Sequence, residues 1–304
     1  MSRPVLLRPS NKSWPLCTAS PWLLEANKDR ILRDTSSADS DEGSVAHDRA
    51  ERWLKEWALG LDPAPPANEL RVYTDYVATQ ASLGKARLGT DLLIEQKMPL
   101  YYDAGYEGMV DAAIIDSGNL HIIDLKWGQG VDVTPEENSQ TAIYWRSLYE
   151  QLELKGWLAE DALATVTIVQ PRYRGDTPIK TWVCTVDEML RFTDDLAKTA
   201  ENVYAKRDLE FHPSPETCQF CPAFSWCAAA NGDAADRELL KIVEEGVLPD
   251  LEVIDQEQMV DWYLNRAKVK SWLNKLEKYV WKNVTEGGDL SKDLGFAPGT
   301  RKGN

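Results

Sequence analysis

The apolar positions along the chain follow two periods, one typical of helices and the other typical of strands. Apolar residues spaced three or four positions apart predict helices at 44–59, 68–82, 136–156, 187–207 and 236–286. Short apolar or alternating runs predict strands at 90–102, twice within 108–126, at 166–170 and at 179–186. The central order is helix, strand, strand, strand, helix, strand, which predicts an α/β protein with a mixed sheet flanked by helices.

Two segments before the first long helix lack an apolar stripe. Ser20 and Pro21 predict the start of a short helix, since serine caps helix N-termini and proline fits the first turn. Residues 34–44 are mostly acidic or small and predict an acidic loop.

The most unusual charges lie in the segment from Gly108 to Lys126, where two apolar strands are predicted around a turn at 116–119. Asp111 opens the first apolar run, and Asp124 and Lys126 close the second. Strand alternation places Asp124 and Lys126 on the same face. Carboxylates are ligands for Mg²⁺, and a nearby ammonium can position water or stabilise charge on phosphorus. The alternative is a surface hairpin with a cross-strand ion pair.

Composition describes an ordinary globular protein, with 43% hydrophobic and 27% charged residues among 304. A net charge of -15 argues against a protein that coats nucleic acid, although a local field can still dock DNA. No apolar run reaches the length of a membrane span and the first residues lack a signal-peptide core, so we expect a cytosolic protein without membrane contact.

Four of the five cysteines form a set with metal-ligand spacing. Cys218, Cys221 and Cys227 follow a C-x2-C-x5-C pattern, and Cys17 lies far upstream. In a cytosolic chain such cysteines are more often ligands or thiols than disulfides. Zinc sites with four cysteines usually contain two C-x-x-C pairs, which this chain lacks. Cys184, in a predicted strand, is expected to be a buried thiol.

The G-x-x-D ending at Asp111 and the later D-x-K ending at Lys126 resemble the core of the PD-(D/E)XK nuclease superfamily, in particular its RecB-like branch. The resemblance implies a restriction-endonuclease-like fold. It also implies that Asp111, Asp124 and the carbonyl of Leu125 hold Mg²⁺ or Mn²⁺ and that Lys126 is catalytic. His47 completes a G-x-x-x-H pattern and would be a further metal ligand, although an isolated histidine is more often structural.

Other positions match this branch or carry suitable chemistry. Gln140 and Tyr144 share a helix face and form a Q-x-x-x-Y pattern that would line the cleft and contact DNA or order the site; simple packing is the alternative. Arg172 and Arg174 follow a strand end and are candidates for phosphate contacts. Glu95 is either an additional acidic site residue or a surface glutamate.

The cysteine set resembles the 4Fe–4S staple of iron–sulfur RecB-like nucleases, which include the AddB-type helicase-nuclease subunit and CRISPR-associated spacer-acquisition nucleases. A structural cluster on Cys17, Cys218, Cys221 and Cys227 is implied, with Zn²⁺ as the alternative. The predicted organisation comprises an N-terminal helical region, a nuclease core, an iron–sulfur segment, and a C-terminal helical extension with tail, at 1–90, 91–210, 211–235 and 236–304.

The residues around Cys17 and the run Ile-Asp-Leu-Lys-Trp-Gly-Gln-Gly also resemble a phage and prophage group of this branch. The resemblance implies a metal-dependent DNase, an exonuclease of phage DNA replication or recombination in the bacterial host cytosol. DNA would be its substrate, and a single-strand annealing protein is a candidate partner. One alternative is a non-catalytic DNA-binding recombination-accessory protein with the same fold and cluster. Another is a zinc-stapled protein whose acidic residues bind nothing.

Overall fold

A computed structural model describes most of the chain up to residue 230: residues 5–11, 13–28, 38–89, 91–116, 118–129, 131–152, 158, 161–173, 175, 177–218, 221–223, 227–230, 273 and 280. The chain divides into two compact units. The first comprises residues 1–21 and 34–210, and the second comprises residues 22–33 and 211–304.

Four helices precede the first strand: α1 (Ser13–Leu16), α2 (Ser20–Ala26), α3 (Ala38–Ala58) and α4 (Asn68–Gly84). The two long predicted helices are confirmed, but the acidic loop expected over 34–44 was wrong from residue 38 onward, because α3 begins there.

Five strands form one mixed sheet in the order β1-β2-β3-β4-β5, with bounds β1 (Leu92–Leu100), β2 (Asp103–Asp116), β3 (Asn119–Leu125), β4 (Leu163–Val169) and β5 (Ile179–Thr185). All neighbours are antiparallel except β3 and β4, which are parallel. Parallel neighbours require a crossover, and α5 (Ser139–Gln151) supplies it. The predicted order of helices and strands is therefore confirmed.

Local capping sets the first residues of the helices that follow β3 and β5. The Asn138 side chain accepts a hydrogen bond from the backbone N–H of Thr141 at 3.3 Å, so α5 begins at Ser139 rather than at the predicted residue 136. Helix α6 (Val186–Ala205) begins with a capping box, in which Thr185 and Glu188 each accept a backbone N–H of the other.

The core beneath α3 and α4 contains the sheet residues that flank the acidic positions. Leu54 and Val77 of the helices belong to one buried cluster with Ile94, Ala112 and Leu125 of three neighbouring strands. Strands β3 and β4 are buried at every position after their first residue. The central strands are therefore held firmly, and side chains at their ends are fixed in position.

The second unit contains α7 (Pro215–Cys218). The predicted C-terminal helical extension at 236–304 lies outside the described residues except for Leu273 and Val280, which are helical. Among the described residues, no helix is both long and apolar enough to cross a membrane. The predicted domain boundaries stay predictions.

Candidate active site

Strands β2 and β3 bring Asp111 and Asp124 side by side. Ala112 of β2 pairs with Ile123 of β3. Asp111 is the neighbour of Ala112 and Asp124 is the neighbour of Ile123, on the same side of this pair because the strands are antiparallel. Asp111 Oδ2 accepts a hydrogen bond from the backbone N–H of Leu125 at 2.7 Å. This bond fixes the Asp111 carboxylate beside the end of β3.

Helix α3 adds an imidazole to the two aspartates. His47 Nδ1 lies 3.4 Å from Asp111 Oδ1 and 3.4 Å from Glu95 Oε1. One possible ligand atom from each of His47, Glu95 and Asp111 lies within 4.8 Å of the other two. The structure thus brings together a nitrogen and two carboxylates from α3, β1 and β2.

Glu95 is the site residue with the weakest signal in the sequence. It lies in β1 between the pairs Ile94–Ala112 and Gln96–Val110, and its side chain is only 9% exposed. Its φ of 48° is unusual for a residue with a side chain, above all inside a strand. A charged residue after the apolar run Leu92–Ile94 was the only sequence signal, because backbone strain leaves no mark in the pattern.

Lys126 lies between β3 and α5 and contacts both. Its Nζ donates to Asp124 Oδ1 at 3.1 Å and to Gln140 Oε1 at 2.9 Å. Gln140 Nε2 in turn donates to the hydroxyl oxygen of Tyr144 at 3.5 Å, one helical turn further on. The predicted residues Asp124, Lys126, Gln140 and Tyr144 therefore form a continuous polar chain.

Gly108 allows the Tyr144 ring to lie against β2. A Cβ at Gly108 would come within 2.9 Å of both Tyr144 Cε1 and Leu100 Cδ2, which is closer than carbon atoms approach. The glycine of G-x-x-D is therefore required by a close ring contact. Its chemical role is indirect, because the ring belongs to the residue that contacts Gln140.

The charges in the site shift each other's protonation. Burial lowers the pKa of His47, but the hydrogen bond to Glu95 and the charges of Asp111, Glu95 and Asp124 outweigh it and raise that pKa to about 9. Burial also lowers the pKa of Lys126, and Asp124 and Asp111 outweigh it, so the pKa ends above its ordinary value. Without a bound metal ion both groups are therefore protonated at neutral pH, and a metal ion that binds His47 would displace its proton.

Asp111 and Tyr144 are shifted mainly by burial. Burial and then the Asp124 charge raise the pKa of Asp111, and His47 and Lys126 only partly oppose them. Burial raises the pKa of Tyr144 to about 12, with the Gln140 hydrogen bond lowering it in part. Tyr144 is therefore a neutral phenol, and keeping the buried Asp111 side chain ionised costs free energy.

The donor set fits a hard divalent cation. Carboxylate oxygens and an imidazole nitrogen are ligands that Mg²⁺ and Mn²⁺ accept. Asp124 Oδ2 is buried and accepts no hydrogen bond of good geometry within the described part of the chain, although Lys126 Nζ lies 2.8 Å away. A buried carboxylate oxygen without such a donor is suited to bind a cation.

Of the two arginines predicted to contact phosphates, the structure describes Arg172. Arg172 follows β4, and its Nη1 donates to Glu42 Oε2 at 2.6 Å. Its guanidinium also lies over the ring of Trp127, 5.2 Å from the centroid. Arg174 lies outside the described residues.

The predicted iron–sulfur cysteines fall in both units. Cys17 follows α1 in the first unit, where the next residues are tied to Glu210: Glu210 N–H donates to Thr18 Oγ1 at 2.8 Å, and Ala19 N–H donates to Glu210 O at 3.1 Å. Cys218 and Cys221 belong to the second unit.

Within the second unit, the backbone N–H of Cys221 donates to the carbonyl of Cys218 at 3.0 Å. This bond holds the backbones of the two cysteines close together. Cys184, expected to be buried, is half-buried instead, because it lies on edge strand β5. Burial is the main cause that raises its pKa to about 11, which makes it a poor thiolate.

The described part of the chain is thus a five-stranded mixed sheet flanked by helices, with acidic residues and a lysine at the end of β3. The chain belongs to the family described as protein of unknown function DUF2800, whose pattern matches residues 5–299.

Two solved structures are similar to the chain at low identity. The protein SSO0001 is 16% identical, with 69% of this chain and 96% of that chain covered and a TM-score of 0.27. A phage related exonuclease from Haemophilus somnus 129PT is also 16% identical, with 58% and 89% covered and a TM-score of 0.21. At this level of similarity, the function has to be argued from the residues of the site.

Proposed function

We propose that this protein is a Mg²⁺- or Mn²⁺-dependent deoxyribonuclease of the PD-(D/E)XK superfamily, in its RecB-like branch. The observation that carries the proposal is the convergence of His47, Glu95, Asp111 and Asp124 beside the ammonium of Lys126. Three carboxylates meet at this place, and the groups that neutralise them within the described residues are His47 and Lys126; a divalent cation that replaced the His47 proton would compensate the carboxylates more fully. The lysine adds a group suited to act on a phosphate.

The cation would be held by His47, Asp111, Asp124 and the carbonyl of Leu125, and we add Glu95 to this set. When bound, a divalent cation supplies charge stabilisation on the phosphate and a lowered pKa for water. The protein's part is to fix the ligand geometry. Asp111 is fixed by the Leu125 N–H, and His47 is fixed between two carboxylates.

Lys126 would position the attacking water and stabilise the negative charge that develops on phosphorus. Its raised pKa keeps it an ammonium, so it donates hydrogen bonds and is unsuited to remove a proton. Gln140 and Asp124 hold the amine from two sides, which fixes its direction. Tyr144 is buried and would order the site by holding Gln140 in turn.

Exonuclease action in phage or prophage DNA replication or recombination is the finer part of the proposal. It rests on the sequence resemblance around Cys17 and in the run at 123–130. The same resemblance supports a bacterial cytosolic setting and a single-strand annealing protein as partner. A non-catalytic DNA-binding accessory protein is the competing function.

We also propose that Cys17, Cys218, Cys221 and Cys227 hold a 4Fe–4S cluster with a structural role. Four thiolates suit such a cluster, and the backbone hydrogen bond between Cys218 and Cys221 holds the backbones of two of the cysteines close together. Zinc is the competing occupant.

Cleavage of end-labelled linear DNA by anaerobically purified protein tests the proposed function. We expect Mn²⁺-dependent release of short products, and Lys126→Ala should lower the rate by at least about 100-fold, as expected for loss of a group that stabilises developing charge. Lys198→Ala, an exposed lysine on α6, is the control and should cleave normally. Wild-type turnover by Lys126→Ala would reject the assignment, and DNA binding without cleavage by the wild type would favour the accessory protein.

A further inference from the structure

Arg172 is held by three groups that come from two other segments of the first unit, α3 and the loop after β3. Its Nη1 donates to Glu42 on α3, and its guanidinium lies over the ring of Trp127. In the orientation that satisfies both atoms of its amide, Gln129 accepts from Arg172 Nε at 2.9 Å. Arg172 is therefore the meeting point of α3, the loop after β3 and the loop after β4.

Each of these segments also contributes to the acidic site. Trp127 follows Lys126 directly, and the N–H of Lys126 donates to the carbonyl of Val169 at the end of β4. Glu42 precedes His47 by five residues on α3, which is about 7.5 Å along a helix axis. The carboxyl ends of parallel strands share one edge of a sheet, and loops at that edge usually form the binding crevice. Arg172 therefore belongs to the rim of the proposed catalytic site.

The contacts of Arg172 differ in how easily they can be replaced. Trp127 packs against the core and supports the guanidinium from one side without consuming its donors. Glu42 is 57% exposed, and exposed ion pairs contribute little to stability. A phosphate accepts from a guanidinium through two oxygens and is the stronger partner. A DNA phosphate can therefore replace Glu42 while Trp127 continues to orient the arginine.

We propose that Arg172 binds a backbone phosphate of the DNA strand that enters the site, and that Glu42 occupies its guanidinium until DNA arrives. This inference rests on the proposed nuclease function and adds a binding residue with its own internal competitor. A purely structural Arg172–Glu42 ion pair is the competing explanation. The two explanations predict different changes in DNA affinity. If the pair is purely structural, removing either residue breaks the same contact and changes the affinity in the same direction. If Glu42 competes with DNA for Arg172, removing Glu42 raises the affinity and removing Arg172 lowers it.

Fluorescence anisotropy with labelled single-stranded and duplex oligonucleotides, in EDTA to prevent cleavage, separates these explanations. We expect Arg172→Ala to weaken binding about five- to tenfold and to reduce the slope of log affinity against log salt by about 0.7–0.9, as for one lost phosphate contact. Glu42→Gln should strengthen binding about three- to tenfold, because Arg172 is then uncompensated. In Arg172→Ala/Glu42→Gln this gain should vanish, since the two residues act through one contact.

The pair Glu201 and Arg207 provides a matched control, because its members are also partly exposed and lie 2.7 Å apart. Glu201→Gln makes the same charge change and should leave affinity within twofold of the wild type. The inference is overturned if Glu42→Gln and Arg172→Ala both weaken binding, if Glu42→Gln behaves like Glu201→Gln, or if its gain persists without Arg172. Failure of the nuclease proposal is seen separately, as wild-type cleavage by Lys126→Ala or no cleavage by the wild type.

Discussion

The carboxylates of Glu95 and Asp111 lie within 4.8 Å of each other on the neighbouring strands β1 and β2. Like charges placed opposite each other destabilise a sheet. Glu95 is also held at a φ of 48°, which a side-chain-bearing residue adopts only at a free-energy cost. Both features are expected of a residue that is retained to bind a cation and not to stabilise the fold.

Replacing Glu95 with glycine should separate stability from activity. Glycine adopts positive φ without strain, and the change removes a repelled carboxylate. The free energy of unfolding of Glu95→Gly in EDTA should therefore equal that of the wild type or exceed it by up to about 1 kcal/mol. Mn²⁺-dependent DNA cleavage should fall by about 100-fold or more, as for a lost metal ligand.

Glu107→Gly, at an exposed position of β2, is the control for this substitution. Glycine in an unstrained strand position should lower stability by about 0.5–1 kcal/mol and leave cleavage unchanged. A Glu95→Gly variant that is less stable than Glu107→Gly, or that cleaves at the wild-type rate, contradicts the role given to Glu95.

Gly108→Ala should disturb the site through the Tyr144 ring. The added Cβ would overlap Tyr144 and Leu100, so we expect a destabilisation of about 1–3 kcal/mol, together with slower cleavage. Gly43→Ala is the control, since a Cβ there meets nothing within 4 Å and alanine favours the helix. Thermal unfolding and cleavage rates measure both effects. Equal behaviour of the two variants would show that the ring contact is unimportant.

Much of the fold was predictable because β3 and β4 are continuous apolar runs and α5 has a clear helical period. The same pattern placed Asp124 and Lys126 on one strand face, and the structure joins them through a hydrogen bond. Contacts within a strand or one helical turn, such as Gln140 with Tyr144, follow from local spacing.

Contacts between distant segments could not be predicted from the pattern. The role of Glu95 depends on a positive φ in the middle of β1, and regular strand alternation assumes that no such residue exists. The Arg172–Glu42 pair joins residues that are 130 positions apart. The start of α3 was missed because residues 34–44 have no apolar period, which in a sequence pattern favours a loop.

His121 gives the fold a pH dependence that is independent of the acidic site. Burial lowers its pKa to about 4, and its Nε2 lies 2.8 Å from Thr167 Oγ1. In the unfolded chain His121 takes up a proton near pH 6.5, whereas in the folded chain it stays neutral until about pH 4. Its contribution to the free energy of unfolding is therefore complete above pH 6.5 and is lost as the pH falls toward 4.

Urea unfolding at pH 7.5, 5.5 and 4.5 measures this effect. The wild type should lose on the order of 2–3 kcal/mol from this group across the range, and His121→Gln should show a correspondingly flatter profile. His212→Gln, at an exposed position, is the matched histidine change. A profile for His121→Gln as steep as that of the wild type contradicts the assignment.

Iron analysis of anaerobically purified variants tests the proposed cluster. We expect about four iron atoms per wild-type chain and a visible charge-transfer absorbance, and both should be lost in Cys227→Ser because a thiolate ligand is removed. Cys184→Ser should retain the iron, because that half-buried thiol lies on β5 and is not part of the ligand set. Zinc in place of iron in the wild type would favour the alternative occupant.

The most direct test of the cation site is Mn²⁺ binding by Asp111→Asn, followed by electron paramagnetic resonance and compared with the wild type and with Asp195→Asn. An asparagine oxygen can still accept from the Leu125 N–H, so the local fold should persist while the charge that binds the cation is lost. We predict that Asp111→Asn binds Mn²⁺ at least about tenfold more weakly and does not cleave DNA, and that Asp195→Asn matches the wild type. Mn²⁺ affinity and DNA cleavage by Asp111→Asn equal to those of the wild type would contradict the central claim.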